Sequence, residues 1–204
     1  GEMRRYLLGL AAVTISWLIV AAGQERAADT RAAPPRRDIG GVWLGVAVPH
    51  LEPTTPMTQR GQGLYDAAKP MYGPRAVPVA DSNDPLVTCD PLGFPRSILH
   101  EMRGMEFVQS PNRVVQLLQY QRAFREIWTD GRSLPAEVGG ASPQSVDPRW
   151  YGNSVGRRGD DYTFVVETNN LRGAEDGPFD GWLDVRGSPY SRQAQFTERY
   201  RRPI

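Results

Sequence analysis

The chain has 204 residues, with 24 basic and 23 acidic side chains and a formal net charge of +1. Such a balance excludes electrostatic capture of nucleic acid or of an anionic membrane surface. The single cysteine, Cys89, excludes an internal disulfide, so the fold must stand on its core.

In chain order, the first feature is Met3-Arg4-Arg5 followed by an uncharged apolar run from Leu7 to Ala22. A basic start, an apolar stretch and small residues at Val20-Ala21-Ala22 predict a secretory signal peptide over residues 1–22, cleaved after Ala22. The run is short for a membrane span, and no cysteine near the cut offers a lipid anchor. Loss of Glu2, Arg4 and Arg5 takes the formal charge from +1 to 0. The expected address is periplasmic or secreted, which excludes most cytosolic cofactors, and none is assigned. Gly1-Glu2 precede the start Met3 and suggest a tag remnant or an over-extended frame.

Residues 23–38, rich in Ala, Arg and Pro, predict a flexible linker. From residue 39 to 204 the pattern is that of one domain. Ile39 to Val48 predicts a first strand. The segment Pro49 to Pro95 is proline-rich, has little periodicity, and offers one short helix from Gly61 to Lys69. Met105 to Ser110 and Arg113 to Tyr120 predict a hairpin, continued by Phe124 to Thr129 and closed at Asp130-Gly131. A second hairpin follows from Gly152 to Arg157 and from Tyr162 to Thr168. A final strand runs from Gln195 to Arg202.

Short strands with many turn residues and hardly any helix predict an all-β fold, an antiparallel meander closing into a barrel. Gly41-Val42-Trp43 on the first strand, with an arginine-rich last strand, is similar to the lipocalin or calycin pattern. There a Gly-x-Trp opens the barrel and a late arginine stacks on that Trp. Closure usually needs eight strands and about seven are visible. Either the proline-rich segment supplies one or the sequence is truncated after Ile204.

The stretch from Cys89 to Arg202 also resembles a family of exported bacterial proteins of unassigned function. The blocks are Cys89-Asp90-Pro91-Leu92-Gly93-Phe94-Pro95-Arg96, Arg125-Glu126-Ile127-Trp128-Thr129-Asp130-Gly131-Arg132 and Trp150-Tyr151-Gly152-Asn153-Ser154-Val155-Gly156-Arg157. Val165-Val166-Glu167-Thr168, Trp182-Leu183-Asp184 and Thr197-Glu198-Arg199-Tyr200 continue them. A family Trp-Glu-Gly-Asp turn appears here as Arg158-Gly159-Asp160. Family histidines stand here as Tyr190 and Gln195, so no role resting on them carries over. The resemblance implies the fold and export, and adds little chemistry.

Gly152-Asn153-Ser154-Val155-Gly156 spells the hydrolase Gly-x-Ser-x-Gly, but a strand follows it and no histidine occurs after His100. His50 and His100 are the only histidines and lack ligand spacing, so no metal is assigned, with those two as the remote candidates. Glu175, Asp176, Asp180 and Asp184 crowd a glycine-containing loop without the EF-hand spacing. More telling are charges inside alternating strands, because Phe124, Glu126 and Trp128 share one face, as do Phe196, Glu198 and Tyr200. If those faces point inward, two carboxylates enter an aromatic interior; otherwise Arg125, Ile127, Thr129, Val165 and Glu167 do.

The expected function is binding of a small apolar or aromatic molecule, with Trp43, Trp128, Trp150 and Trp182 as walls. Arg125, Glu126 and Glu198 would orient its polar groups. No catalytic residue is assigned. Two alternatives stand beside this. One is a barrel isomerase, cyclase or hydrolase with Glu126 or Glu198 as general base. The other is an accessory subunit of an envelope complex, docked through the proline-rich segment.

Overall fold

The computed structural model describes residues 37–44, 56–99, 104–177 and 180–202, all within the unit spanning Arg36–Ile204. The leader lies outside them, as does the end of the expected first strand. Seven strands form one curled sheet, a half-barrel, in the order β1 to β7. They are β1 (Gly41–Trp43), β2 (Met105–Gln109), β3 (Arg113–Leu118), β4 (Phe124–Trp128), β5 (Asn153–Arg158), β6 (Thr163–Asn169) and β7 (Phe196–Arg201). Few helices accompany them: α1 (Gln59–Ala67), α2 (Arg96–Leu99) and short 3-10 turns. Among the described residues no helix is long and apolar enough to cross a membrane.

The sheet is not the uniform antiparallel meander expected from sequence. β1 to β4 are antiparallel and so are β5 to β7, but β4 and β5 pair in parallel through Ile127↔Ser154 and Trp128↔Val155. The long loop from residue 129 to 152 causes the difference. It returns the chain beside the last residues of β4, and β5 leaves from there in the same direction.

The concave face buries Ile39, Phe107, Val114, Ile127, Phe164, Val166 and Tyr200 as one core. Trp43 closes it, edge-on to Phe107 at 5.7 Å and to Tyr200 at 6.2 Å. At the end of β7, the Arg202 guanidinium lies 5.7 Å from the centroid of the Trp43 ring and donates to the Gly40 carbonyl. The Trp43 indole N–H donates to the Ile39 carbonyl at 2.9 Å, which fixes the ring for that contact.

From residue 56 onward the proline-rich segment is structured rather than loose. Thr58 caps α1 by accepting from the Gly61 N–H at 3.1 Å. Arg75 closes the other end, its guanidinium 4.0 Å from the Tyr65 ring and donating to the Tyr65 and Ala68 carbonyls. Farther on, Asp84 and Arg96 form a bidentate pair at 2.8 and 2.7 Å with both side chains buried. The strap between them delivers Phe94 to the concave face, where it is 1% exposed. Burying such a ring contributes roughly 1.5–3 kcal/mol. Gln121 holds the strap from the β3–β4 turn, donating to the Asp90 carbonyl and accepting from the Leu92 N–H.

Asp84→Ala strands a buried guanidinium and is expected to lower stability by about 3–5 kcal/mol. Asp84→Leu with Arg96→Met should recover a large part of that loss. Guanidinium unfolding of the three proteins checks both; an Asp84→Ala loss below about 1 kcal/mol would refute a buried pair.

Candidate functional site

Which face of each strand looks inward is decided strand by strand. In β4, Arg125 and Ile127 are buried while Phe124 is 61% exposed, so Glu126 and Trp128 look outward. In β7, Phe196, Glu198 and Tyr200 look inward and Tyr200 is buried. The two strands thus take opposite sides of the alternatives open in the sequence. Pairing with β3 sets the parity of β4, since Gln116↔Arg125 and Val114↔Ile127 are partners and Val114 and Gln116 are buried.

Arg125 of β4 therefore meets Glu198 of β7 across the curl. The contact is bidentate, one arm at 3.3 Å, and the Tyr200 hydroxyl donates to the same carboxylate. The side chains are 2% and 9% exposed. Gln116 donates to the Tyr200 oxygen at 3.2 Å. The Arg125 guanidinium stacks 4.2 Å from the centroid of Phe94, which in turn meets Phe196 edge-on at 5.6 Å. Burial, and next the Glu198 carboxylate, push the Tyr200 phenol above its ordinary range, so it remains a donor. Glu198 is thereby tied on both oxygens.

The other expected residues are placed apart. Glu126 pairs with Arg113 on the outer face, and Trp128 lies between Arg132 at 3.7 Å and Arg113 at 5.8 Å. Trp150 faces Arg172 at 5.2 Å, and its carbonyl accepts the Phe94 N–H at 2.8 Å. Trp182 is buried against Arg96 at 5.2 Å. Only Trp43, Arg125 and Glu198 of the expected set contribute to the concave face. His50 and His100 lie outside the described residues. Among the described residues no group of three metal-ligating side chains converges.

Ser154 is buried in β5 and bonded to the Thr168 hydroxyl at 2.9 Å. The flanking Gly156 lets the Phe164 ring cross the strand, where a Cβ would collide with it. That motif is packing. The acidic loop is likewise consumed internally. Arg172 holds Asp180 at 2.6 Å, Arg192 holds Asp176, the Arg192 N–H donates to Glu175, and Asp184 accepts from Arg186 and Ser188.

The space for a ligand lies elsewhere, in a cleft of about 360 Å³ between α1 and the loop before β7. Met57 and Leu64 form one wall, and Leu183, Pro189 and Tyr190 the other; Arg60, Glu175, Asp184 and Arg186 are the charged residues of the lining. The loop wall is rigid. Leu183 N–H donates to the Ser188 carbonyl at 2.8 Å and Tyr190 N–H to the Gly181 carbonyl at 2.8 Å. Gly181 sits at φ +71°, and a Cβ there would lie 2.7 Å from the Ala174 nitrogen. The Tyr190 hydroxyl donates to the Phe94 carbonyl at 3.0 Å, and burial pushes this phenol up as well. Tyr190 thus connects the cleft wall to the strap. Sequence reasoning missed these residues. The available signals were Leu64 in an otherwise polar helix and the apolar pairs Trp182-Leu183 and Pro189-Tyr190 on either side of a short polar turn.

No family model, no curated protein and no solved structure matches the chain.

Two expectations follow from the buried network. Glu198→Gln should cost about 3–5 kcal/mol by leaving Arg125 unpaired, whereas Glu126→Gln, on the wet outer face, should cost under about 1 kcal/mol. Equal losses in urea unfolding would contradict the inward–outward assignment. The raised Tyr200 pKa also sets a sign. A folded state that keeps a proton released by the unfolded chain is fully favoured below pH ~10 and loses that advantage as pH rises beyond it. Stability should fall above pH ~10, and less steeply in Tyr200→Phe; a steeper fall in that variant would count against the assignment.

Proposed function

We propose that this is an exported protein of lipocalin-like type that binds a small, largely apolar molecule, and that it does so in the α1 cleft. The observation carrying this reading is the cleft itself, about 360 Å³ with Met57, Leu64, Leu183, Pro189 and Tyr190 converging. Volume and lining suit a small-molecule site, apolar with a few polar groups at its border. Arg60, an exposed residue of the lining, would pair with an acidic end of such a ligand.

Three further observations support the parts of the proposal. The Trp43–Arg202 stack joins the Gly-x-Trp of the first strand to a late arginine, the contact that the lipocalin resemblance implies. The basic start and apolar run of residues 3–22 favour export. The concave face is occupied by Phe94 and the Arg125–Glu198 pair, which leaves the cleft as the roomier place for a ligand. The same engagement makes Glu198 a structural tie rather than a general base, so the binding reading is preferred to a barrel enzyme.

The test is titration of the purified protein with N-phenyl-1-naphthylamine, an apolar probe that brightens on leaving water. We expect saturable one-site binding, competed by medium-chain fatty acids. Leu183→Arg or Leu64→Arg should weaken it at least about tenfold, equivalent to ~1.4 kcal/mol, with the circular dichroism spectrum retained. Binding that survives both substitutions, or no binding at all, would remove the cleft as the site.

A further inference from the structure

One part of the convex face, across β1 to β4, carries a cluster of apolar side chains where water should meet it. Val42, Glu106, Leu117 and Phe124 are successive register partners and form a row across β1 to β4. Val42 is 69% exposed, Phe124 61% and Leu117 40%, with Leu44 at 80% beside them. An antiparallel sheet with one solvated face normally places polar side chains there, and contiguous apolar exposure marks a contact surface. The row borders a shallow groove of about 560 Å³, in which Glu106 and Arg122 are the charged residues. Neither side chain has a partner among the described residues. Arg122 and the preceding Gln121 both hold left-handed backbones, φ 51° and 55°. Gln121 does so while gripping the strap, and Arg122 is presented at the corner of the groove as a result.

We propose that this face docks on the same face of a second copy of the chain, forming an isologous dimer. A two-fold axis along the strands reverses the order of the row. Phe124 of one copy then covers Val42 of the other, and Glu106 in β2 turns toward the β3–β4 corner that carries Arg122. One unpaired anion and one unpaired cation in the same groove make the patch complementary to itself, as an isologous contact requires. An anionic membrane would call for a cluster of basic side chains, and this groove holds a single arginine opposed by a glutamate.

Sedimentation equilibrium of the full chain tests this. The wild-type protein should be dimeric, and Phe124→Glu should raise the dimer dissociation constant by at least about tenfold without changing the circular dichroism spectrum. Leu44→Lys, at the margin of the sheet, serves the same end if the first variant does not fold. Glu106→Arg alone and Arg122→Glu alone should each weaken the dimer, and the two together should restore it. A monomer at every concentration, a dimer indifferent to both apolar replacements, or a double swap that restores nothing overturns the proposal. So does a monomer that instead cosediments with vesicles of phosphatidylglycerol.

Discussion

The Arg125–Glu198 pair ties β4 to β7 across the hollow of the sheet, and the curvature of the half-barrel follows from that requirement. Two strands separated by β5 and β6 in the hydrogen-bonded order can touch side chain to side chain only if the sheet between them bends. A flat sheet would leave the guanidinium and the carboxylate in separate apolar surroundings. Desolvating either charge alone is far more costly than desolvating them together with two hydrogen bonds between them. The hydroxyl of Tyr200 and the amide of Gln116 extend the pair into a network, so three strands, β3, β4 and β7, share one polar anchor. The contact between β4 and β5, which lies between the two tied strands, is short and parallel. It has two register pairs where the other principal ladders have five or six.

A second buried pair does the complementary task from the loop side. Asp84 and Arg96 span a proline-containing strap that opens with a 3-10 turn over Pro85–Thr88 and contributes no strand to the sheet. Proline fixes the backbone of such a strap with little entropy left to lose, and the ion pair fixes where it docks. Phe94 then fills the curl against Arg125, and Tyr190 holds the strap from the far side by donating its hydroxyl to the Phe94 carbonyl. The two ion pairs are therefore coupled through one phenylalanine. The interior is completed by chain that contributes no strand to the sheet, and the cleft beside α1 is bounded by the same loop that Tyr190 anchors.

Much of the sheet was legible. Alternation marked β2, β3, β5, β6 and β7 within a residue or two, because period-two burial leaves a period-two sequence. Trp43, Arg125 and Glu198 were also marked as inward candidates. The parity of β4 was not legible, since Phe124, Glu126 and Trp128 are collectively no less apolar than Arg125 and Ile127. The buried charge that compensates an inward Arg125, Glu198, is 73 residues away. The parallel step was hidden because the loop from residue 129 to 152 has no period to reveal its direction. The role of the strap was hidden for a related reason. Asp84 and Arg96 look like solvent-exposed charges in a proline-rich segment until the fold brings them 2.7 Å apart and buries them. The cleft, assembled from a polar helix and a turn, leaves almost no linear signature.

The outward Phe124 is the counterpart of the inward Arg125. A strand with period two cannot bury both neighbours on one side. Placing the arginine in the curl to meet Glu198 forces the phenylalanine onto the convex face, next to Leu117, its register partner. A sequence could relieve that exposure with a polar residue at position 124, yet here Val42, Leu44, Leu117 and Phe124 reinforce one another instead. The interior polar tie and the exterior apolar patch thus belong to one arrangement of β4. Any explanation of the convex face must account for four apolar side chains retained together, which a single packing compromise at Phe124 does not do.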